Sequence, residues 1–118
     1  MLKSWVRAFG NSMAGLRHAA LNERPVRHEA VGLGLGLVAA PFVAETPRHA
    51  VMLVAVIVLV VAIELLNNAI EAICDLVHPE RHELVKIAKD SGSAAVLLVI
   101  LVALSFWIEA LASWVVSS

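Results

Sequence analysis

The sequence has little cysteine and no marked excess of charge of either sign. Cys74 is the single cysteine, so neither a disulfide framework nor a cysteine metal site can be built within one chain. The formal net charge of -1 gives no reason to expect nucleic acid as a partner. The N-terminal region lacks an apolar stretch followed by a small-residue cleavage site, so we expect no removable signal peptide. Internal repeats and low-complexity tracts are also absent, which indicates a single domain over residues 1–118.

Apolar residues dominate what is present. They make up 60% of the chain, charged residues make up 16%, and the mean hydropathy is +0.85. This composition is too hydrophobic for a soluble domain of this size, and it predicts an all-α integral membrane protein. The hydropathy pattern predicts a surface helix followed by three transmembrane helices. The predicted segments are a surface helix at 1–24, membrane spans at 25–45, 47–77 and 91–116, and a partly helical cytoplasmic connection at 78–90.

The N-terminal segment has the pattern of an amphipathic helix at a membrane interface. Trp5, Phe9 and Met13 recur at helical spacing with basic residues between them, a pattern typical of interfacial helices. A soluble helix packed on a core is the alternative, but the chain has little soluble mass left to cover it. Pro25 disfavours helix for the residue before it and suits the first turn of a new helix. The first membrane span is therefore expected to begin near Pro25.

The distribution of basic residues predicts the orientation in the membrane. Five of the nine precede the first span, one lies in the first connection, three lie in the second, and none follows the third span. Because cytoplasmic segments carry an excess of Lys and Arg, the N-terminus and the second connection are predicted to be cytoplasmic. The first connection and the C-terminus then face outward.

Polar residues interrupt the second span in "VLVVAIELLNNAIEAICDLV". At about 100° per residue, five of them fall on one stripe about 100° wide. A carboxylate in the apolar zone costs at least about 2.5 kcal/mol even on lenient insertion scales. The stripe therefore needs partners, water or ions, and it is a candidate site. The stripe consists of Glu64, Asn67, Asn68, Glu71 and Asp75.

Two further polar segments are predicted to meet this stripe at the cytoplasmic side. "NERPVRHE" lies at the mouth of the first span and "KIAKDSGS" at the mouth of the third. Carboxylates converging from separate helices suit hard divalent cations, and Mg²⁺ typically keeps waters and shares phosphate oxygens. Lysine and arginine beside them suit phosphate. In contrast, "GLGLG" lacks the lysine and hydroxyl residue of a phosphate loop, so its glycines are predicted to permit close helix packing.

Three motifs together resemble the small prokaryotic diacylglycerol kinases. They are "NERPVRHE", "ELLNNAIEAICDLV" and "HELVKIAKDSGSAAV", and the resemblance extends over nearly the whole chain. It implies a membrane enzyme that uses MgATP to phosphorylate the hydroxyl of diacylglycerol, giving phosphatidic acid and ADP. It further implies a homotrimer whose active sites lie at the membrane interface and are shared between subunits, in a bacterial inner membrane.

The resemblance also implies roles for individual residues. Glu64 matches the catalytic base of the family and Asn67 the asparagine beside it, while Glu23 and Glu71 match the carboxylates that hold the metal ion. The positions that match nucleotide contacts are Glu23, Glu71, Glu80, His82, Lys89 and Asp90. The positions that match contacts to the lipid substrate and its supporting polar network are Arg17, Arg27, Glu29, Glu64 and Ser93.

Two other functions compete with this interpretation. A polyprenol kinase, such as an undecaprenol kinase, shares the fold and the motif, so the chemistry would survive while the substrate changes. A proton or ion pathway could also use an intramembrane carboxylate stripe. Residues 50–63, however, contain no polar residue that would continue such a path outward. "KDSGSAAV" and the long N-terminal helix favour the diacylglycerol enzymes.

Overall fold

The chain forms four α-helices, which a computed structural model describes for residues 1–77 and 82–118. Three of them are long and apolar enough to cross a membrane, which confirms the all-helical fold and the three long apolar helices expected from the hydropathy. These three are α2, α3 and α4, whereas α1 precedes them. The helices are α1 (Leu2–Asn22), α2 (Arg24–Val43), α3 (Pro47–Val77) and α4 (Glu83–Ser117).

Local signals in the sequence account for the helix boundaries. Glu23 is extended and separates α1 from α2, and Pro25 follows in the first turn of α2, where its missing N–H costs no helical hydrogen bond. At the start of α3, the Thr46 hydroxyl accepts a hydrogen bond of 3.0 Å from the His49 N–H, as an N-cap does. His82 caps α4 in the same way, since its Nδ1 accepts from the Leu84 N–H at 3.1 Å.

The two longest helices exceed the thickness of a bilayer core. α3 has 31 residues and α4 has 35, so they measure about 46 and 52 Å against a hydrocarbon core of about 30 Å. They run antiparallel. Residues 53, 60, 67 and 75 follow one another along α3, and the residues of α4 that they meet fall in number from 107 to 103, 92 and 89. α4 begins at Glu83, so the second half of the predicted 78–90 connection is helical and continues directly into the span.

Small residues allow α2, α3 and α4 to pack closely at the end away from the polar stripe. Leu53 of α3 is fully buried, and it packs against Ala40 and Val43 of α2 and Ala110 of α4. Small side chains at such contacts let helix backbones approach in a membrane protein. Trp107 adds a polar contact, because its indole N–H donates to the Leu53 carbonyl at 3.0 Å. α3 is therefore the central helix of the bundle.

Much apolar surface remains outside this core. On α1 the buried residue is Ala19, while Trp5 and Phe9 are 68% and 66% exposed. The outer faces of α2 and α4 also expose large side chains, including Phe42 and Ile108. Such surfaces are unfavourable in water but suit contact with lipid or with other membrane helices.

The Trp107 contact leads to a prediction about stability. Trp107→Phe removes the indole donor and leaves the Leu53 carbonyl without it, which is expected to cost about 0.5–1.5 kcal/mol in free energy of unfolding. Equilibrium unfolding with dodecyl sulfate in mixed micelles measures this loss. Trp114→Phe is the matched control, because Trp114 is an exposed tryptophan of the same helix. Equal losses in the two variants would contradict a special role for the Trp107 hydrogen bond.

Candidate active site

The polar stripe of α3 changes from buried to exposed along the helix. Glu64 and Asn67 are only 6% and 7% exposed, Asn68 is half-buried, and Glu71 and Asp75 are exposed. Since Glu64 lies nearest the apolar core and Asp75 nearest the end of α3, the stripe leads from the bundle interior to its polar end. One helix face thus offers both a water-poor and a water-accessible position for reacting groups.

Carboxyl groups from two other segments converge on Glu64. The Glu29 carboxyl of α2 lies close enough to the Glu64 carboxyl for the two groups to interact. The charges of Glu23, at the joint between α1 and α2, and of Glu71 also act on Glu64. Two ionised carboxylates can only accept hydrogen bonds, so they cannot bond to each other directly. A close carboxyl pair therefore shares a proton or lies near a cation. The arrangement therefore calls for a positive partner.

Asn67 links the buried and exposed parts of the stripe. Its Nδ2 donates to Glu71 Oε1 at 3.2 Å. Three buried polar atoms in this region lack a hydrogen-bond partner among the described residues, namely Glu29 Oε2, Asn67 Oδ1 and Asn68 Nδ2. Buried polar atoms usually have a hydrogen-bond partner. The presence of three unpartnered ones near Glu64 therefore distinguishes this region from an ordinary helix interface.

The first turns of α4 bring basic residues to the exposed end of the stripe. Lys89 Nζ lies 2.7 Å from Asp75 Oδ1, which joins α4 to α3. Lys86 Nζ lies 2.7 Å from Asp90 Oδ2 within one face of α4, and this second pair is well exposed and contributes little to stability. Asp75 therefore contributes a contact between the end of α3 and the start of α4. The sequence placed both residues at the cytoplasmic side, but their pairing depends on the register between α3 and α4.

The remaining predicted site residues lie around this cluster. Arg27 is exposed, and its Nη1 donates to the Leu21 carbonyl at the end of α1 at 3.1 Å. Arg17 and Ser93 are exposed on α1 and α4, and His82 is at the start of α4. Glu80 lies outside the described residues. The structure thus brings together five of the predicted site residues, Glu23, Glu29, Glu64, Asn67 and Glu71. Within residues 1–77 and 82–118, no hydrogen bond joins Glu64 to Arg17, Arg27 or Ser93.

A metal ion at this site would need ligands in addition to the protein. Within residues 1–77 and 82–118, no group of three or more His, Cys, Asp or Glu side chains is arranged to hold a metal ion. The carboxylates of Glu23 and Glu71 are nevertheless hard oxygen donors of the kind that Mg²⁺ prefers, and Mg²⁺ typically combines one or two carboxylates with waters and phosphate oxygens. The residues therefore fit a metal that arrives with a phosphate substrate.

A family model for prokaryotic diacylglycerol kinases matches residues 10–111. This match includes α2 and α3, most of α1 and α4, and the whole of the carboxyl cluster. The chain belongs to the prokaryotic diacylglycerol kinase family.

Bacterial relatives agree with this assignment. The chain is 43% identical over 102 residues to a diacylglycerol kinase of Escherichia coli strain K12, covering 86% of this chain and 84% of that protein. It is 39% identical over 107 residues to one of Pseudomonas aeruginosa, covering 90% and 86%, respectively. It is 36% identical over 96 residues to one of Haemophilus influenzae, covering 81% of each chain. Membership of this family and the three apolar helices identify a multi-pass membrane protein.

Proposed function

We propose that this protein is a diacylglycerol kinase that transfers the γ-phosphoryl group of ATP to the free hydroxyl of 1,2-diacylglycerol. The products are phosphatidic acid and ADP. The observation that carries the proposal is the convergence of Glu23, Glu29 and Glu71 on the buried Glu64, in a chain that is 36–43% identical to bacterial diacylglycerol kinases over most of its length. The cluster lies where a membrane lipid and a water-soluble nucleotide could both reach it.

Glu64 is the proposed general base. The lipid hydroxyl oxygen attacks the γ-phosphorus, the bond to the β,γ-bridging oxygen breaks, and ADP leaves with that electron pair. The hydroxyl proton passes to the Glu64 carboxylate. Phosphoryl transfer depends mostly on positioning and charge stabilisation, with a base adding typically 10²- to 10⁴-fold. Asn67 supports this step by holding Glu71, the next carboxylate of the stripe, through its 3.2 Å hydrogen bond.

The exposed end of the stripe is the proposed nucleotide side. Lys89 is already held at this level by Asp75, and a lysine ammonium suits a phosphate group as a point charge. Asp90, His82 and Glu80 are the other proposed nucleotide contacts. Mg²⁺, bound with ATP, would neutralise charge on the phosphates and be held by Glu23 and Glu71.

The lipid side is proposed to involve α1 and the neighbouring turns of α2 and α4. The exposed Trp5 and Phe9 of α1 suit an amphipathic helix lying in the membrane interface, because aromatic side chains favour that depth. Polar groups that could meet the glycerol part of the substrate come from all three helices. These proposed lipid contacts are Arg17, Arg27, Glu29, Glu64 and Ser93.

A homotrimer with shared active sites in the bacterial inner membrane is proposed for the assembly. The exposed apolar faces of α2 and α4 leave room for contacts with other membrane helices, and the positions of the lipid and nucleotide residues on different helices suit a site completed by a second copy. A proton or ion pathway is less consistent with the buried residues of α3 beyond Glu64, which are Val60, Val56 and Leu53. These apolar side chains offer no route for a charge.

The lipid kinase proposal is tested by phosphorylation assays with labelled ATP in detergent. Purified protein is expected to phosphorylate diacylglycerol faster than undecaprenol, and Glu64→Gln is expected to lower turnover by about 10²- to 10⁴-fold because the base is removed. Nucleotide binding by calorimetry on the same preparation serves as the control and is expected to persist. A preference for undecaprenol would identify a polyprenol kinase instead. Full activity of Glu64→Gln would remove Glu64 from the mechanism.

The metal assignment predicts a change in magnesium dependence. Glu23→Gln and Glu71→Gln each remove one proposed carboxylate ligand, so each variant is expected to need more Mg²⁺ for half-maximal activity or to lose turnover. The measurement is the initial rate across a magnesium titration at saturating ATP. Glu45→Gln is the matched control, because Glu45 is exposed in the connection between α2 and α3. A titration identical to wild type for either site variant would reject that residue as a ligand.

The distribution of basic residues predicts the membrane orientation. In a Cys74→Ala background, single cysteines at Thr46 and Ser118 are expected to react with an impermeant thiol reagent added to intact cells with a permeable outer membrane. A cysteine at Glu80 is expected to react only after the inner membrane is opened. Reaction at Glu80 with protection of both other positions would reverse the orientation.

A further inference from the structure

Gly92 of α4 occupies a tight position directly against Asn67 of α3. Gly92 is buried, and a Cβ added there would overlap Asn67 Oδ1, with Asn67 Cγ at 3.3 Å and Ile70 Cδ1 at 3.7 Å. Among the helical glycines, Gly10, Gly15, Gly32 and Gly34 have nothing within 4 Å of such a Cβ. The backbone of α4 therefore lies so close to the Asn67 side chain at Gly92 that a Cβ there would force one of them to move.

The orientation of the Asn67 amide is fixed from its other side. Asn67 Nδ2 donates to Glu71 Oε1, and an ionised carboxylate can only accept, so the amide nitrogen must face Glu71. The amide oxygen consequently points toward α4. This oxygen has no hydrogen-bond partner among the described residues, and the Cα hydrogen of Gly92 takes the direction in which a Cβ would point. A weak Cα–H···O contact is the interaction that this geometry permits.

A methyl group at position 92 would therefore disturb the site. Asn67 could yield by rotating its amide, but rotation would break the hydrogen bond to Glu71. Alternatively α4 could move away from α3, which would shift Lys89 relative to Asp75, now 2.7 Å apart. Either response changes the position of a group that belongs to the proposed kinase site.

We propose that Gly92 is a positioning residue for phosphoryl transfer, because its missing side chain holds the Asn67 amide, and through it the Glu71 carboxylate, in place beside Glu64. This inference rests on the proposed kinase function. It assigns Gly92 a role that differs from ordinary helix packing. Gly36 exemplifies the ordinary kind, since a Cβ there would meet Ile57 Cδ1 at 2.5 Å and Trp107 Cζ2 at 3.4 Å, which are apolar atoms away from the carboxyl cluster.

Three alanine variants separate positioning from packing. Gly92→Ala is expected to lower kcat by about 10- to 100-fold, in the range that a small misplacement of reacting groups costs. It is also expected to raise the Mg²⁺ concentration for half-maximal activity while leaving the KM for diacylglycerol unchanged. Gly36→Ala is expected to lower stability without changing the kcat or the magnesium dependence of the folded enzyme. Gly34→Ala is expected to change neither stability, kcat nor magnesium dependence. Wild-type kcat in Gly92→Ala, or equal kcat losses in Gly92→Ala and Gly36→Ala, would overturn the proposal.

A double-variant cycle tests whether Gly92 acts through Asn67. In an Asn67→Ala background the amide is gone, so Gly92→Ala is expected to cause no further loss of kcat and no further change in magnesium dependence. This comparison also applies if Gly92→Ala alone does not fold, because Asn67→Ala removes the overlap. A further loss of tenfold or more in the double variant would show that Gly92 acts by another route and would overturn the proposal.

A readout that does not use activity distinguishes failure of this inference from failure of the proposed function. The Asn67 side-chain amide gives a pair of ¹⁵N–¹H signals in NMR, identified by their loss in Asn67→Ala. Gly92→Ala is expected to shift these signals, whereas Gly34→Ala is not. Shifted signals in a protein without lipid kinase activity would reject the kinase proposal and support the contact. Unshifted signals in an active kinase would reject the role of Gly92.

Discussion

The bundle is organised around a carboxyl group that must be kept in an apolar environment. Glu64 is only 6% exposed, and burying an ionisable group in this setting is unfavourable unless other groups or ions compensate. Other carboxyl groups add to this cost, because Glu29 and Glu23 approach from α2 and from the joint before it and like charges repel, so the cluster needs a proton or a cation. The extended Glu23 and the start of α2 at Arg24 allow those carboxyl groups to approach Glu64.

The antiparallel arrangement of α3 and α4 supplies the second half of the site. Because the two helices run in opposite directions, the end of α3 lies beside the start of α4, and Lys89 meets Asp75 at 2.7 Å. Nearer the bundle interior, Gly92 meets Asn67. At the opposite end, Leu53 receives the Trp107 indole hydrogen bond. Polar contacts thus connect the helix pair at both ends, whereas Val56, Val60 and Ala103 form an apolar middle.

The sequence contained enough information to predict the helices and the polar stripe but not the contacts between helices. Long apolar runs and the proline positions determine local structure, and the helical period places Glu64, Asn67 and Glu71 on one face without any knowledge of the partner helix. The pairing of Asp75 with Lys89 depends on the register between α3 and α4. The contact at Gly92 depends on how closely their backbones approach. Both quantities follow from the packing of many apolar side chains, which spacing along one helix does not encode.

The division of α3 into an apolar and a polar part explains why the site lies at one end of the bundle. A lipid hydroxyl can reach a catalytic carboxylate without leaving the membrane only if that carboxylate lies near the apolar core, as the proposed base Glu64 does. A nucleotide, in contrast, carries too much charge to enter that core, so its contacts must lie further along the helices, as the proposed contacts Glu71 and Lys89 do. A continuous helix satisfies both demands because a few turns carry it from hydrocarbon to water. Asn67, hydrogen-bonded to Glu71 and packed on Gly92, lies at the boundary between the two environments.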